Sequence, residues 1–201
     1  GIPIVYDAAH AVGTKYKGKP IGGAGRASCY SFQSNKNMTT LGEGGAVTSD
    51  DVEFSEAVRQ KKTFGYVYGP KLRVVSTGFN YRMTKPQLAV GLTQIAKAGR
   101  LIAAKLVAMR KMQTLLTGAD GLILPAGIDD GHGAHLYVIR TPNHDRNTVA
   151  AHLKEQYHVG TAYHYPIVWT WEAFAELDGQ HIARIALFER DSFDDLVENL
   201  F

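Results

Sequence analysis

Residues 31–45 read SFQSNKNMTTLGEGG. One lysine, Lys36, stands among small hydroxyl and amide residues, with Ser31, Ser34 and Thr39 around it and glycines at 42, 44 and 45 behind it. Such a segment has three ordinary readings: a phosphate loop, a surface turn or a reactive amine. A P-loop requires G-x-x-x-x-G-K-[ST], and here the glycines follow the lysine instead of preceding it. No G-x-G-x-x-G occurs in the chain, so a Rossmann dinucleotide site has no support. Surface turn and reactive amine remain, and the flanking sequence has to separate them.

Working outward, the segment follows the apolar run ASCYSF and precedes GGAVTS, and both read as short strands. Near the start, IPIVYD is another apolar run, ending on Asp7. Short apolar runs rich in β-branched residues fit the buried strands of a mostly parallel sheet. In such sheets the carboxyl ends of the strands line the ligand crevice. Asp7 and Lys36 each follow such a run, so an acid and an amine can meet at one site. A plain salt bridge between them is the alternative.

Further along, YKGKPIGGAGR is hairpin-like, and Asp50-Asp51 can cap a helix running to about Phe64. GYVYGPKLRVVSTGFNYRM reads as an irregular loop with possible short strands. Thr84, followed by Lys85-Pro86, opens a long helical region that runs to Gly118, with Gly99 as a plausible break. A domain boundary is therefore expected near residues 97–105, giving a partial large domain over 1–98 and a small α+β domain over 99–201. Within the second, LILP, HLYVIRT and TAYHYPI read as strands, and RNTVAAHLKEQYHVG and SFDDLVENLF as helices. No internal repeat or low-complexity tract occurs.

Bulk properties narrow the function. The 201 residues are 45% hydrophobic and 20% charged, the balance of a globular protein. The net charge of +3 comes with no run of five basic residues, so there is no nucleic-acid footprint. No stretch approaches the roughly 18 apolar residues of a membrane helix. GIPIVYDAAH does not read as a signal peptide, because it has no basic segment and reaches Asp7 early. Opening on an apolar strand, the chain reads as the later part of a longer protein. The single Cys29 cannot form an internal disulfide and is expected to be a buried small hydrophobe in a cytoplasmic setting.

A lysine that forms a Schiff base has to be reachable and partly desolvated. Pyridoxal 5'-phosphate (PLP) needs such a lysine, an acid opposite its pyridine nitrogen, and hydroxyl and backbone N–H groups for its phosphate. The segments DAAHAVG, YSFQSNKNMTTLGEGGAVTSDD and TGFNYRMTKPQLAVGLTQI occur in that order, followed by the weaker HLYVIRTP and GTAYHYPI. In these the chain resembles the DegT/DnrJ/EryC1/StrS family of PLP-dependent, fold-type I sugar aminotransferases, from residue 2 to about residue 170. The resemblance implies Lys36 as the Schiff-base lysine and proton carrier, and Asp7 as partner of the pyridine nitrogen. It implies Ala9 against a ring face, His10 near the ring's 3-hydroxyl, and Ser31 at the phosphate. Asn80 would reach a neighbouring subunit's phosphate in a homodimer. His164 and Tyr165 would face the substrate. Family dehydratases carry His in place of the lysine, so Lys36 argues for transamination.

The implied reaction moves an amino group from glutamate or glutamine to a keto group of a nucleotide-linked sugar. A cyclitol or aromatic precursor as acceptor, or a non-catalytic fragment with the same fold, are the alternatives. Family members carry a long segment before this Asp, with further phosphate contacts and a ring-stacking residue, so the N-terminal part of the family pattern is missing here. Other residues have plainer readings. His132 and His135 form H-x-x-H, but no Cys or acidic partner has metal-site spacing, and His135 is expected to orient locally or face solvent. Tyr66, Tyr68 and Tyr81 read as interface aromatics. Arg73 and Arg82 suit either a nucleotide diphosphate or a structural role. LIAAKLVAMRKMQTLL reads as a helix with its apolar stripe on the core and its basic residues in water.

Overall fold

The structure is a computed structural model that describes residues 1–23, 25–163 and 171–174. By contact it divides into two compact units, residues 1–143 and 144–201. His164, Tyr165 and the expected C-terminal helix lie outside the described residues.

A three-stranded sheet organises the first unit, its middle strand flanked by one parallel and one antiparallel neighbour. Strand β1 (Val5–Asp7) pairs in parallel with β4 (Ala27–Ser31), in the register Val5 to Ala27 and Asp7 to Cys29. Strand β5 (Gly45–Thr48) returns antiparallel to β4, with Ser31 opposite Gly45. Thus one of the two pairings departs from the parallel arrangement expected. The cause is the connection. A parallel return needs a crossover, usually a helix. The segment between Ser31 and Gly45 instead folds back on itself, as Phe32 N–H donates to Gly44 O and Ser34 N–H to Gly42 O, each at 2.8 Å. Strand β1 is also shorter than its apolar run: Ile2 stays 91% exposed and pairing begins at Val5. Pro3 has no N–H to give a ladder. Cys29 is free and half-buried, less enclosed than expected.

Between β1 and β4 lies the expected hairpin, β2 (Lys15–Tyr16) against β3 (Lys19–Pro20). Its two turn residues, Lys17 and Gly18, have φ +49° and +77°, the positive pair of a type I′ turn. Helix α1 (Val52–Lys61) starts at Asp51, whose carboxylate accepts from Phe54 N–H at 2.9 Å. A short hairpin follows, β6 (Tyr66–Val67) with β7 (Arg73–Val74). Around it Phe79 stacks on Tyr81 at 4.9 Å and Arg82 lies over Phe64 at 4.8 Å.

Helix α2 (Lys85–Leu116) runs unbroken through Gly99 and through the boundary expected at residues 98–99. At its start Thr84 N–H donates to Gln87 Oε1 at 2.8 Å, a capping box. A single glycine costs a helix about 1 kcal/mol, and the packing of α2 on both sides of Gly99 outweighs it: Gly91 meets the Thr40 methyl group, while Ile102, Leu106 and Met109 form a core with Ala134. Burying each of these three large side chains contributes about 1.5–3 kcal/mol. The remainder of α2 is less covered than a one-stripe reading predicts, for Leu92 and Leu115 are each 71% exposed.

After α2, LILP and HLYVIRT do not form strands. They meet at one bridge, where Ile123 and Arg140 exchange two hydrogen bonds of 2.9 and 3.0 Å. Pro125 ends the run two residues later and has no N–H with which to extend the ladder.

In the second unit, helix α3 (Arg146–Tyr157) is capped by Asp145, whose carboxylate accepts from Thr148 N–H at 2.8 Å. It stops at His158, which turns left-handed at φ +55°, short of the expected end at Gly160. Residues 161–163 are not a strand, and the described residues of this unit include no strand. No helix among the described residues is long and apolar enough to cross a membrane.

Candidate active site

Asp7 closes β1 and Ser31 closes β4. Asp7 lies opposite Cys29, two residues before Ser31, so both project from one face of the sheet at its carboxyl end. Beyond Asp7, Ala8 N–H extends the ladder to Cys29 O at 2.8 Å, and Ala11 N–H closes a turn onto Ala8 O at 2.9 Å. Inside that turn Ala9 N–H donates to Asp7 Oδ1 at 3.0 Å, which aims the carboxylate. The same turn carries His10 to the lysine: Lys36 Nζ and His10 Nε2 are 2.7 Å apart. Lys36 is half-buried, Asp7 and His10 exposed. Among the described residues no ion pair joins Asp7 to Lys36, so the plain salt bridge is not what brings them together.

The loop that presents Lys36 is tightly built. Ser31 Oγ accepts from Gln33 N–H at 3.3 Å, and Ser34 Oγ from Gln33 Nε2 at 3.0 Å. Thr40 is 1% exposed and its hydroxyl donates to Glu43 O at 3.1 Å. Gly44 must be glycine, because a Cβ there would strike Thr40 Oγ1 and the Met83 sulfur. Thr39 Oγ1 is buried without a hydrogen-bond partner among the described residues.

Asn37 is the residue whose role the sequence did not disclose. Buried beside the lysine, it donates from Nδ2 to Gly133 O and, at 3.5 Å, to Val12 O. Its Oδ1 accepts from Lys105 Nζ of α2 at 2.8 Å. One amide therefore joins the lysine loop, the turn after β1, α2 and the 131–135 segment. Only its polarity next to Lys36 could have signalled this.

His135 is the second addition. It does not face solvent: it is half-buried, and its ring lies 4.1 Å from that of His10, tilted by 49°. Its H-x-x-H partner has other work, since His132 Nδ1 accepts from Ala134 N–H at 3.0 Å. Among the described residues no three potential ligands gather around a metal position. Asn80 lies apart, beside the end of α1: it bridges to Thr63 and its Oδ1 accepts from Arg82 Nε at 2.9 Å.

The donor set of amine, imidazole, carboxylate and hydroxyls at one sheet end fits PLP. Lys36 suits its carbonyl, Asp7 its pyridine nitrogen, and Ser31 with the unpartnered Thr39 hydroxyl suits anion oxygens.

Solved structures share the architecture. DesV from S. venezuelae is 30% identical and superposes with a TM-score of 0.78, over 94% of this chain and 51% of that one. Helicobacter pylori PseC, an aminotransferase involved in the biosynthesis of pseudoaminic acid, is 25% identical with a TM-score of 0.80, over 88% and 48%. The fold is thus the α/β fold of the fold-type I, PLP-dependent aminotransferases. More narrowly, the chain belongs to the DegT/DnrJ/EryC1/StrS aminotransferase family, whose model it matches over residues 1–190. The spore coat polysaccharide biosynthesis protein SpsC of Bacillus subtilis is 33% identical over 180 residues, which is 82% of this chain and 46% of SpsC. The chain therefore spans about half the length of the relatives it matches.

Proposed function

We propose that this chain carries the lysine half of the active site of a cytoplasmic, PLP-dependent aminotransferase. The reaction moves an amino group from glutamate or glutamine to a keto group of a nucleotide-linked sugar. The observation that carries this reading is the 2.7 Å contact between Lys36 Nζ and His10 Nε2 at the sheet end that also bears Asp7. When bound, PLP supplies a carbonyl for amine exchange and a ring that takes up the electrons of the broken Cα–H bond.

The residues of this chain do the rest. Lys36 Nζ is the group that binds the cofactor covalently, and once released it holds and returns the proton taken from the donor's Cα. His10 Nε2 keeps that amine in place between these tasks. Asp7, aimed by Ala9 N–H, offers its carboxylate to a protonated ring nitrogen and holds the positive charge there. Ser31 and its loop take the phosphate. Asn80 serves a neighbouring subunit's phosphate in a homodimer, and His164 and Tyr165 face the sugar.

Borohydride reduction of the chain mixed with PLP, followed by peptide mapping, tests the assignment. A single pyridoxyl group on Lys36 is expected, and none in Lys36→Ala. Groups scattered over surface lysines, or no labelling at all, would sink it.

A further inference from the structure

We propose that Gln87 is a positioning residue for the Lys36 loop, acting through the carbonyl of Glu43. The inference rests on the aminotransferase reading for its purpose, while its geometry stands without the cofactor.

The loop from Phe32 to Gly44 folds back on itself as a ribbon. Its outgoing limb carries the lysine, and Lys36 N–H closes a turn onto Gln33 O at 2.9 Å. The carbonyls of its returning limb, at Gly42 and Gly44, accept from Ser34 and Phe32 N–H. Where the returning limb lies therefore sets where Lys36 stands. Glu43 O, in the middle of that limb, accepts from Gln87 Nε2 at 2.9 Å and from the Thr40 hydroxyl at 3.1 Å. The other end of the same amide is engaged too. Gln87 Oε1 accepts from Thr84 N–H at 2.8 Å and from Thr84 Oγ1 at 3.0 Å. A carboxamide offers one acceptor oxygen and two N–H donors. The Thr84 amide needs the oxygen and the Glu43 carbonyl needs an N–H, so these partners set the orientation of the side chain.

Helix α2 is the rigid support. Gly91 lies one turn beyond Gln87 on the same face, and a Cβ there would come within 3.1 Å of the Thr40 methyl group. Lys105, about five turns from Gln87 and again on that face, donates to Asn37 Oδ1 at 2.8 Å. The lysine loop is thus fastened to one helix at two points, beside Lys36 and at the returning limb.

Two substitutions in the 201-residue chain separate the tie from the helix cap. Gln87→Glu keeps the capping oxygen, since glutamate serves a capping box as glutamine does, but sets a carboxylate against Glu43 O. Gln87→Lys keeps a donor for Glu43 O and has no acceptor for Thr84. Amide exchange without cofactor is read at Phe32 and Ser34 for the loop. It is read at Leu88, whose N–H donates to Thr84 O at 3.0 Å, for the helix start. In Gln87→Glu, Phe32 and Ser34 should exchange about 5–10-fold faster than in the parent chain, the effect of one lost hydrogen bond, with Leu88 unchanged. In Gln87→Lys the pattern should reverse. Equal changes at both places, or unchanged Phe32 and Ser34 in Gln87→Glu, overturn the proposal. If the glutamate variant does not fold, the lysine variant decides alone. Loop amides at the parental rate beside a faster Leu88 then sustain the tie, and faster loop amides overturn it. The rate of pyridoxyl labelling of Lys36 by limiting PLP and borohydride is the second readout. It should fall several-fold in Gln87→Glu and recover in Gln87→Lys. One labelling rate in all three chains overturns the positioning role. No labelling of the parent chain overturns the aminotransferase reading and leaves the exchange pattern to decide on the tie.

Discussion

Asp7 and Asn37 show how differently two polar residues of one site are used. Asp7 is exposed, and its one described hydrogen bond is local. Asp7→Asn keeps an oxygen for Ala9 N–H, so the fold should survive. The charge that steadies the ring nitrogen is lost, and turnover should drop by about 10²–10³-fold, as when one electrostatic stabiliser is removed elsewhere. Steady-state transamination rates check this, and a near-normal rate would place Asp7 outside the chemistry. Asn37→Ala should act on stability first. It strands a buried carbonyl at Gly133 and removes the partner of Lys105. A loss of about 1–3 kcal/mol is expected, the cost of leaving buried groups unsatisfied. Urea denaturation measures it, and Asn37→Asp, which keeps the acceptor for Lys105 but sets a carboxylate oxygen against the Gly133 and Val12 carbonyls, should not recover it.

At the level of elements, caps and turns decide where structure starts. The Asp51 carboxyl is held below its ordinary value, chiefly by the Phe54 backbone N–H, with further help from Arg26, whose Nε lies 3.1 Å from Oδ2. A carboxyl lowered in the folded state stabilises it above the unfolded value, near pH 4, and that gain is lost as pH falls through the lower folded value. Acidification below about pH 4 should therefore loosen the first turn of α1. Exchange protection at the Phe54 amide reports the loosening. In Asp51→Asn, which caps without titrating, protection should no longer depend on pH there. The hairpin within YKGKPIGGAGR and the helix start at Thr84 were both legible in the sequence, because each is satisfied by neighbours within a few positions. LILP and HLYVIRT were not: apolar content marks a potential strand, whereas pairing depends on what lies alongside.

Over the first unit as a whole, the core around Ile102 supports the site from behind. Ile102→Ala should cost about 2–5 kcal/mol, as cavity-forming core changes do. It should also loosen the 131–135 segment through Ala134, which shares that core. A lowered urea midpoint together with raised exchange at residues 133–135 would be the signature, whereas a midpoint within error of the parent would show that α2 is held elsewhere.

Sequence by itself determined the chemistry offered: a lysine, an acid and hydroxyls, each at the end of an apolar run, in an order and spacing that match one family. Those properties are local, since side-chain type and strand ends follow from short windows. Tertiary structure alone decided who meets whom. That Lys36 faces His10 rather than Asp7, that His135 backs His10, and that Asn37 ties two loops to α2 depend on packing between segments up to 125 positions apart, from His10 to His135. Periodicity and motif spacing contain no such distances, because chain reversals and burial set them only when the whole unit folds.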